Sequence, residues 1–255
     1  MAGATDFCGA CIAAVALGVI AVTCPARAAP CSLAPQGEGR VSAVIDARTF
    51  RMDDGREVRL AGIETVSDGA ALSAVIASRN VTLRGETDAP DRYGRQPAFV
   101  FVEQAEASVQ HQLLAQGDAL VSGTVADKAC AAELAAAEAA ARRARRGIWA
   151  DSAAIKNAES PGDILARIGQ FTVVEGKVLS VRQAGATTYV NFGRRWTRDF
   201  AVTISRRVWP AFEAAGISPK SLENRRIRVR GWIEARGGPR IEAAQVGQIE
   251  MAGEN

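Results

Sequence analysis

The sequence predicts a mixed, mainly-β fold with helices (α+β), built as two small barrels one after the other. Three observations lead there. Short segments of alternating apolar character recur through the first half and begin again at Phe171. A length of 255 residues lets two small domains each bury a core. Residues 29–163 carry 15 Lys+Arg against 19 Asp+Glu and residues 164–255 carry 15 against 8, although the whole chain is only +3. Halves of opposite sign argue for two modules, and the basic one suits a polyanion. With 48% hydrophobic and 23% charged residues, the composition is that of an ordinary globular protein.

The chain begins with a targeting-type segment. Gly9–Cys24 (GACIAAVALGVIAVTC) is apolar and uncharged, and Ala26-Arg27-Ala28 offers small residues for cleavage. The apolar run is shorter than the roughly 20 residues of a membrane span. Asp6 and the lack of a leading Lys or Arg depart from the usual signal pattern, so a retained anchor is the alternative. The expectation is a signal peptide over residues 1–28, a periplasmic or secreted protein, and no stable membrane span after its removal. Cleavage takes away Cys8, Cys11 and Cys24. The remaining pair, Cys31 and Cys130, predicts one disulfide in an oxidising compartment, against the alternative of two free buried thiols. Two cysteines and His111 fall short of a four-ligand zinc site.

In the first half, Gly39–Ile45 and Thr49–Met52 are expected strands, and Asp53-Asp54-Gly55-Arg56 joins a hairpin because Asp-Gly tolerates a tight turn. Val58–Ile63 is a third strand, Gly69–Ser78 a helix, and Val81–Arg84 and Phe99–Glu103 strands. Ser108–Gln116 is a helix ended by Gly117. Ala129–Arg146 is alanine-rich, with acids early and arginines late, as the helix dipole favours. Strands with so few helices point to a barrel of the OB type over residues 29–150.

Residues 151–167 include a polar, Pro-Gly-containing stretch expected as a linker. A second OB-like barrel is expected over 168–252. FTVVEGKVLSV, TTYVNFG and DFAVTIS are its successive strands, with a helix over Val208–Ala215. Arg226–Glu234 is a fourth strand, Gly237-Gly238-Pro239 a turn, and Arg240–Ala243 begins the last strand. No close sequence repeat relates the two halves.

Three segments carry a family resemblance: VIDARTFRMDDGREVRLAGIET (Val44–Thr65), DRYGRQPAFVFV (Asp91–Val102) and AEAAARRARRGIWA (Ala137–Ala150). In order and spacing, Arg40–Ala150 resembles the staphylococcal nuclease (thermonuclease) family, which implies an OB-type barrel with three helices. The VRG…GGPRIE…QIE ending is similar to an OB-like extension beside such domains in some bacterial relatives. The resemblance implies phosphodiester hydrolysis with Ca²⁺ held by carboxylates, a glutamate base and two arginines on the phosphate.

By position, Arg59 and Arg95 match those arginines, and a planar guanidinium fork suits phosphate oxygens. Asp46 is kept, and Glu64 stands at a metal-ligand position, one methylene longer than the family's aspartate. The other metal-ligand aspartate is replaced by Arg48, the base position is Ser67, and a tyrosine near the phosphate becomes Gly123. A guanidinium about 4 Å away repels a single positive charge by ~4 kcal/mol at an effective dielectric near 20, and a divalent ion by twice that. Two escapes are open. Asp68 could serve as base after a loop shift, or Arg48 could join Arg59 and Arg95 in a three-arginine phosphate site. Binding with weakened or lost calcium-dependent cleavage is therefore expected; the alternatives are an active phosphodiesterase with rearranged residues and a protein-interaction module.

In the basic half, Tyr189, Phe192, Trp196 and Phe200 interleave with Arg194, Arg195 and Arg198. Alternation sets Arg226, Arg228 and Arg230 on one face, near Trp232. Aromatics beside arginines suit a single-stranded nucleic acid or another polyanion, with Arg194, Arg195, Trp196, Arg198, Arg228, Arg230 and Trp232 as the contacts. The bland alternative is aromatics in a core and arginines on a solvated edge.

Overall fold

Alternation across each strand decides which side chains fill the first barrel. A computed structural model describes residues 31–66 and 68–253; the leading segment, with Cys8, Cys11 and Cys24, and Ser67 lie outside the described residues. The first half runs β1 (Ala34–Asp46), β2 (Thr49–Met52), β3 (Glu57–Leu60), β4 (Ile63–Thr65), α1 (Ala70–Ile76), β5 (Asn80–Gly85), β6 (Gln96–Val102), α2 (Val109–Gln116), β7 (Ala119–Val121) and α3 (Lys128–Arg143). Phe50, Met52, Val58, Leu60, Leu83 and Val100 point inward and are buried, whereas Arg51 faces solvent.

β1 is longer than Gly39–Ile45 because it serves two neighbours. Its first half pairs with β5, from Ala34↔Gly85 to Arg40↔Asn80, and its second half with β2. The strands close in the order β1-β2-β3-β6-β5, with β3 and β6 parallel. The expected strand Val58–Ile63 breaks at Gly62, whose φ of 79° suits a residue without Cβ. Its second part, β4, leaves the barrel to pair with β7.

Helix caps follow the sequence signals. The Ser108 hydroxyl accepts the His111 N–H, and the Asp127 carboxylate accepts the Cys130 N–H. Buried Gln110 ties α2 to β6: its Oε1 accepts the Val100 N–H, and its Nε2 donates to the Ala98 carbonyl. Cys31 and Cys130 form a disulfide that joins the N-terminal side of the barrel to α3.

The second half comprises β8 (Ile155–Asn157), α4 (Pro161–Leu165), β9 (Phe171–Lys177), β10 (Ser180–Ala184), β11 (Thr187–Asn191), β12 (Ala201–Ser205), α5 (Trp209–Ala214), α6 (Pro219–Leu222), β13 (Arg226–Arg236), β14 (Gly238–Glu242) and β15 (Ile249–Met251). The segment expected as a single strand from Phe171 to Val181 bends at Val178-Leu179. Those two residues keep ladder bonds on both sides: the Val178 N–H donates to the Arg225 carbonyl and the Leu179 N–H to the Asn191 carbonyl. These strands form one eight-stranded sheet in the order β10-β11-β12-β14-β13-β9-β8, with β15 on β13, and the bend joins β9 directly to β10. The two halves thus share one strand order, with a parallel pair, β12 and β14, in the same place as β3 and β6.

The stretch expected as a linker is partly built into this second sheet. β8 runs parallel to β9, and α4, with Pro161 in its first turn, buries Ile164. Leu120, Ala141 and Trp149 of the first half pack with Val173 of the second. Among the described residues no helix is long and apolar enough to cross a membrane.

Candidate functional site

The turn between β1 and β2 and the parallel ladder between β3 and β6 bring the matched residues together. Arg59 lies opposite Thr49 on one side and Pro97 on the other. Arg95 lies just before β6, outside the strand, and is not among the residues lining the cleft that Arg48 and Arg59 share. Arg48 sits in the turn, where its carbonyl accepts the Leu60 N–H at 2.8 Å and its own N–H donates to Asp46 Oδ1 at 2.8 Å. Arg48, Arg59, Glu64, Glu86, Ser122 and Thr124 line a cleft of about 270 Å³.

Arg48 is not free in that cleft. Its Nη1 pairs with Glu64 Oε1 and donates to the Ile63 carbonyl at 3.2 Å. The Glu64 side chain is only 13% exposed. Burial pushes its carboxyl above the usual range, with Arg48 opposing and Asp46 adding to the rise.

Arg95 is held by Asp91, which accepts from its Nε at 2.9 Å and its Nη2 at 2.6 Å. Asp91 also accepts the N–H groups of Tyr93 and Arg95, so the loop is built around one carboxylate. Slight burial raises the Asp91 carboxyl, but the Arg95 hydrogen bonds outweigh it and hold it below its ordinary value. The Arg95 guanidinium lies 4.8 Å from the Tyr93 ring centroid and feels the charge of Asp46. Arg59 makes no ion pair among the described residues.

The family's calcium chemistry needs carboxylate oxygens, and the donor set does not supply them. A calcium ion takes six to eight oxygens. Here Glu64 is engaged by a guanidinium and an Asp46 oxygen by the Arg48 N–H. Among the described residues no three His, Cys, Asp or Glu side chains gather where they could hold a metal. Asp68 Oδ1 accepts the Ala70 N–H at 3.2 Å in the turn that leads into α1. Ser67 lies outside the described residues.

Gly123 has a packing reason. Its φ is 77°, and a Cβ there would stand 2.5 Å from the Gly247 carbonyl carbon of the second half. No tyrosine fits against that backbone.

In the basic half the expected contacts divide. Arg194, Arg195, Trp196 and Arg198 lie in the connection between β11 and β12, where Trp196 is 78% exposed. Arg226, Arg228 and Arg230 do share a face, but that face meets carboxylates. Glu175 accepts from Arg226 Nε at 2.7 Å and Arg228 Nη2 at 2.6 Å, and Glu250 accepts from Arg228 Nη1 at 2.9 Å. Arg230 is 4% exposed and is spent on Glu138 and the Val121 carbonyl of the first half. Arg228 and Arg230 are therefore corrected out of the nucleic-acid set, because their donors are already satisfied and Arg230 is buried. Trp232 packs edge-on to Phe171 at 6.0 Å, on strands away from Trp196. Phe192 and Phe200 belong to the core.

A larger cleft of about 770 Å³ gathers Arg194 and Trp196 with Arg182, Tyr189, Arg236 and Arg240. Sequence reasoning missed Arg182, Arg236 and Arg240. The pattern VRQAGATTYVN held a signal, since Arg182 and Tyr189 fall on the outward phase of two strands.

Residues 68–151 match the model of the family described as Staphylococcal nuclease homologue. The span runs from before α1 past Trp149, so it contains Arg95 but neither Arg48 nor Arg59. No curated protein matches the chain.

Proposed function

We propose that this chain, whose residues 68–151 match the model of the staphylococcal nuclease homologue family, is an exported nucleic-acid- or phosphate-binding protein with weakened or lost calcium-dependent hydrolysis. Arg59, Arg95 and Arg48 receive the phosphate in this reading. The observation that carries it is the Arg48–Glu64 ion pair. A guanidinium there takes up the carboxylate a calcium ion would use, and only its Nε and Nη2, which have no partner among the described residues, are left to meet a phosphate. Export is supported by the Cys31–Cys130 disulfide, since such bonds persist in oxidising compartments.

The rival reading, an active phosphodiesterase using Asp68, would have to work through the second carboxylate oxygen, since Oδ1 accepts the Ala70 N–H. Single-stranded DNA and RNA incubated with the protein and calcium, magnesium or EDTA decide between them. We expect binding without metal-dependent cleavage. Affinity should fall with salt as counterions are released, and Arg59→Ala and Arg95→Ala should each lower the salt slope by about 1. Calcium-dependent cleavage abolished by Asp68→Ala would establish the rival. Binding that ignores salt, or no binding, would favour a protein-interaction module.

A further inference from the structure

The second barrel carries a cleft that the first barrel's phosphate chemistry leaves unexplained. Register fixes its floor. Arg182 pairs with Tyr189 and Tyr189 with Thr203, while Ser180 pairs with Asn191, Asn191 with Ala201 and Ala201 with Arg240. These residues fall on the outward phase of β10, β11, β12 and β14, opposite the core residues Val190, Val202 and Ile241. Apart from Arg182, Tyr189 and Arg240 the floor is small and polar or small and apolar. Its walls come from the β11–β12 connection, with Arg194 and Trp196, and the β13–β14 turn, with Arg236.

Charge and shape point to one occupant. Arg182, Arg194, Arg236 and Arg240 line the cleft against one carboxylate, Asp199, and that carboxylate is used by the Arg195 N–H at 2.7 Å. Arg182 and Arg194 have no ion pair among the described residues. Arg236 reaches only Glu234, at 3.7 Å, with both side chains exposed. Trp196 stands out at 78% exposed with no packing role to account for it. An open cleft with unpaired guanidinium groups and accessible flat rings matches a ligand of alternating anions and planar groups.

We infer that this cleft is a binding site for single-stranded nucleic acid, with bases stacked on Trp196 and Tyr189 and phosphates met by Arg182, Arg194 and Arg240. A duplex hides its base faces and offers nothing for the two rings to stack on. The inference rests on the reading of the chain as a nucleic-acid binder, but it places the strand on a different barrel from Arg59 and Arg95.

The test uses the full chain and a fluorescently labelled oligothymidylate, with a duplex of equal length and heparin as competitors. Trp196→Ala combined with Tyr189→Ala should weaken oligothymidylate binding at least tenfold, because both stacking surfaces are lost. Arg182→Ala with Arg194→Ala should weaken it too and lower its salt slope. Unchanged circular dichroism and melting would show that the variants fold. Heparin competing as well as the oligonucleotide, with the aromatic variant binding normally, overturns the inference in favour of a general polyanion site. Loss confined to Arg59→Ala and Arg95→Ala also overturns it and leaves the first-barrel reading standing. Loss confined to the cleft variants does the reverse.

Discussion

Arg230 on β13 reaches from the second barrel to Glu138 on α3 of the first, with Nη1 2.9 Å from Oε2 and both side chains almost wholly buried. Glu138 Oε1 also accepts the Val121 N–H at 2.8 Å, and Arg230 Nη1 donates to the Val121 carbonyl. One ion pair therefore closes the orphaned polar groups of β7 while joining the two halves. Arg230→Met should destabilise the protein by about 3–5 kcal/mol, because it strands a buried carboxylate. Adding Glu138→Leu should restore much of the loss. Urea unfolding of both variants checks this; a double variant no more stable than the single one would count against the pair as the cause.

The same junction constrains Gly123. A side chain there needs both a positive φ and room that the Gly247 backbone occupies. Gly123→Ala should lower stability by about 1–3 kcal/mol. Faster proteolysis at the contact between the barrels, with the first barrel's fold retained, would show that the damage lies at the junction.

The disulfide between Cys31 and Cys130 closes a loop with a sequence separation of 99. In the chain-entropy model a loop near that length is worth about 4.7 kcal/mol. Reduction, or Cys31→Ala with Cys130→Ala, should lower the urea midpoint by a comparable free energy without changing the barrel's circular dichroism. An unchanged midpoint under reductant would remove the bond from the account of stability.

Glu175 gives the stability a dependence on acid. Burial raises its carboxyl, but the hydrogen bonds from Arg226 and Arg228 outweigh burial and bring it below its ordinary value of 4.5. A carboxyl whose folded value lies below its unfolded one stabilises the fold when ionised. That contribution is complete above the unfolded value and disappears as pH falls through the folded one. Unfolding curves measured from neutral pH to about pH 3 should show a loss that Glu175→Gln makes shallower. Equal slopes for the two proteins would place the acid sensitivity elsewhere.

Local patterns in the sequence located most of the first barrel, because strand alternation, Asp-Gly turns and the Ser108 and Asp127 caps act over a few residues. The broken strand at Gly62 was harder to see, since β4 exists only by pairing with β7, 54 to 58 positions later, in the register Ile63↔Val121 to Thr65↔Ala119. Shared topology was hidden for a related reason. The bend at Val178-Leu179 is held by partners in β11 and before β13, and nothing in those two residues announces it. Among the candidate contacts, alternation put Arg226, Arg228 and Arg230 on one side correctly. It could not say that Glu175, Glu250 and Glu138 would come to the same side from three other elements. The opposite error hid Arg182, Arg236 and Arg240, which are scattered in the chain and meet only when β10, β11, β12 and β14 pair side by side.

Arg48 offers the most direct handle on the first barrel. Its guanidinium holds Glu64 by an ion pair, and its backbone N–H donates to Asp46. Arg48→Asp exchanges that positive charge for a carboxylate beside two others, which removes the repulsion on a divalent ion and adds an oxygen donor. Calorimetric titration should then detect calcium where the parent shows none, and nucleic-acid binding without calcium should weaken. Cleavage should stay low even so, because Ser67 cannot accept a proton at neutral pH, and a missing general base accounts for about 10²–10⁴-fold in rate. Adding Ser67→Glu to Arg48→Asp should raise calcium-dependent cleavage above either single variant. A parent protein that binds calcium as well as Arg48→Asp would mean that the ion pair opens readily, and the guanidinium would no longer explain a silent site.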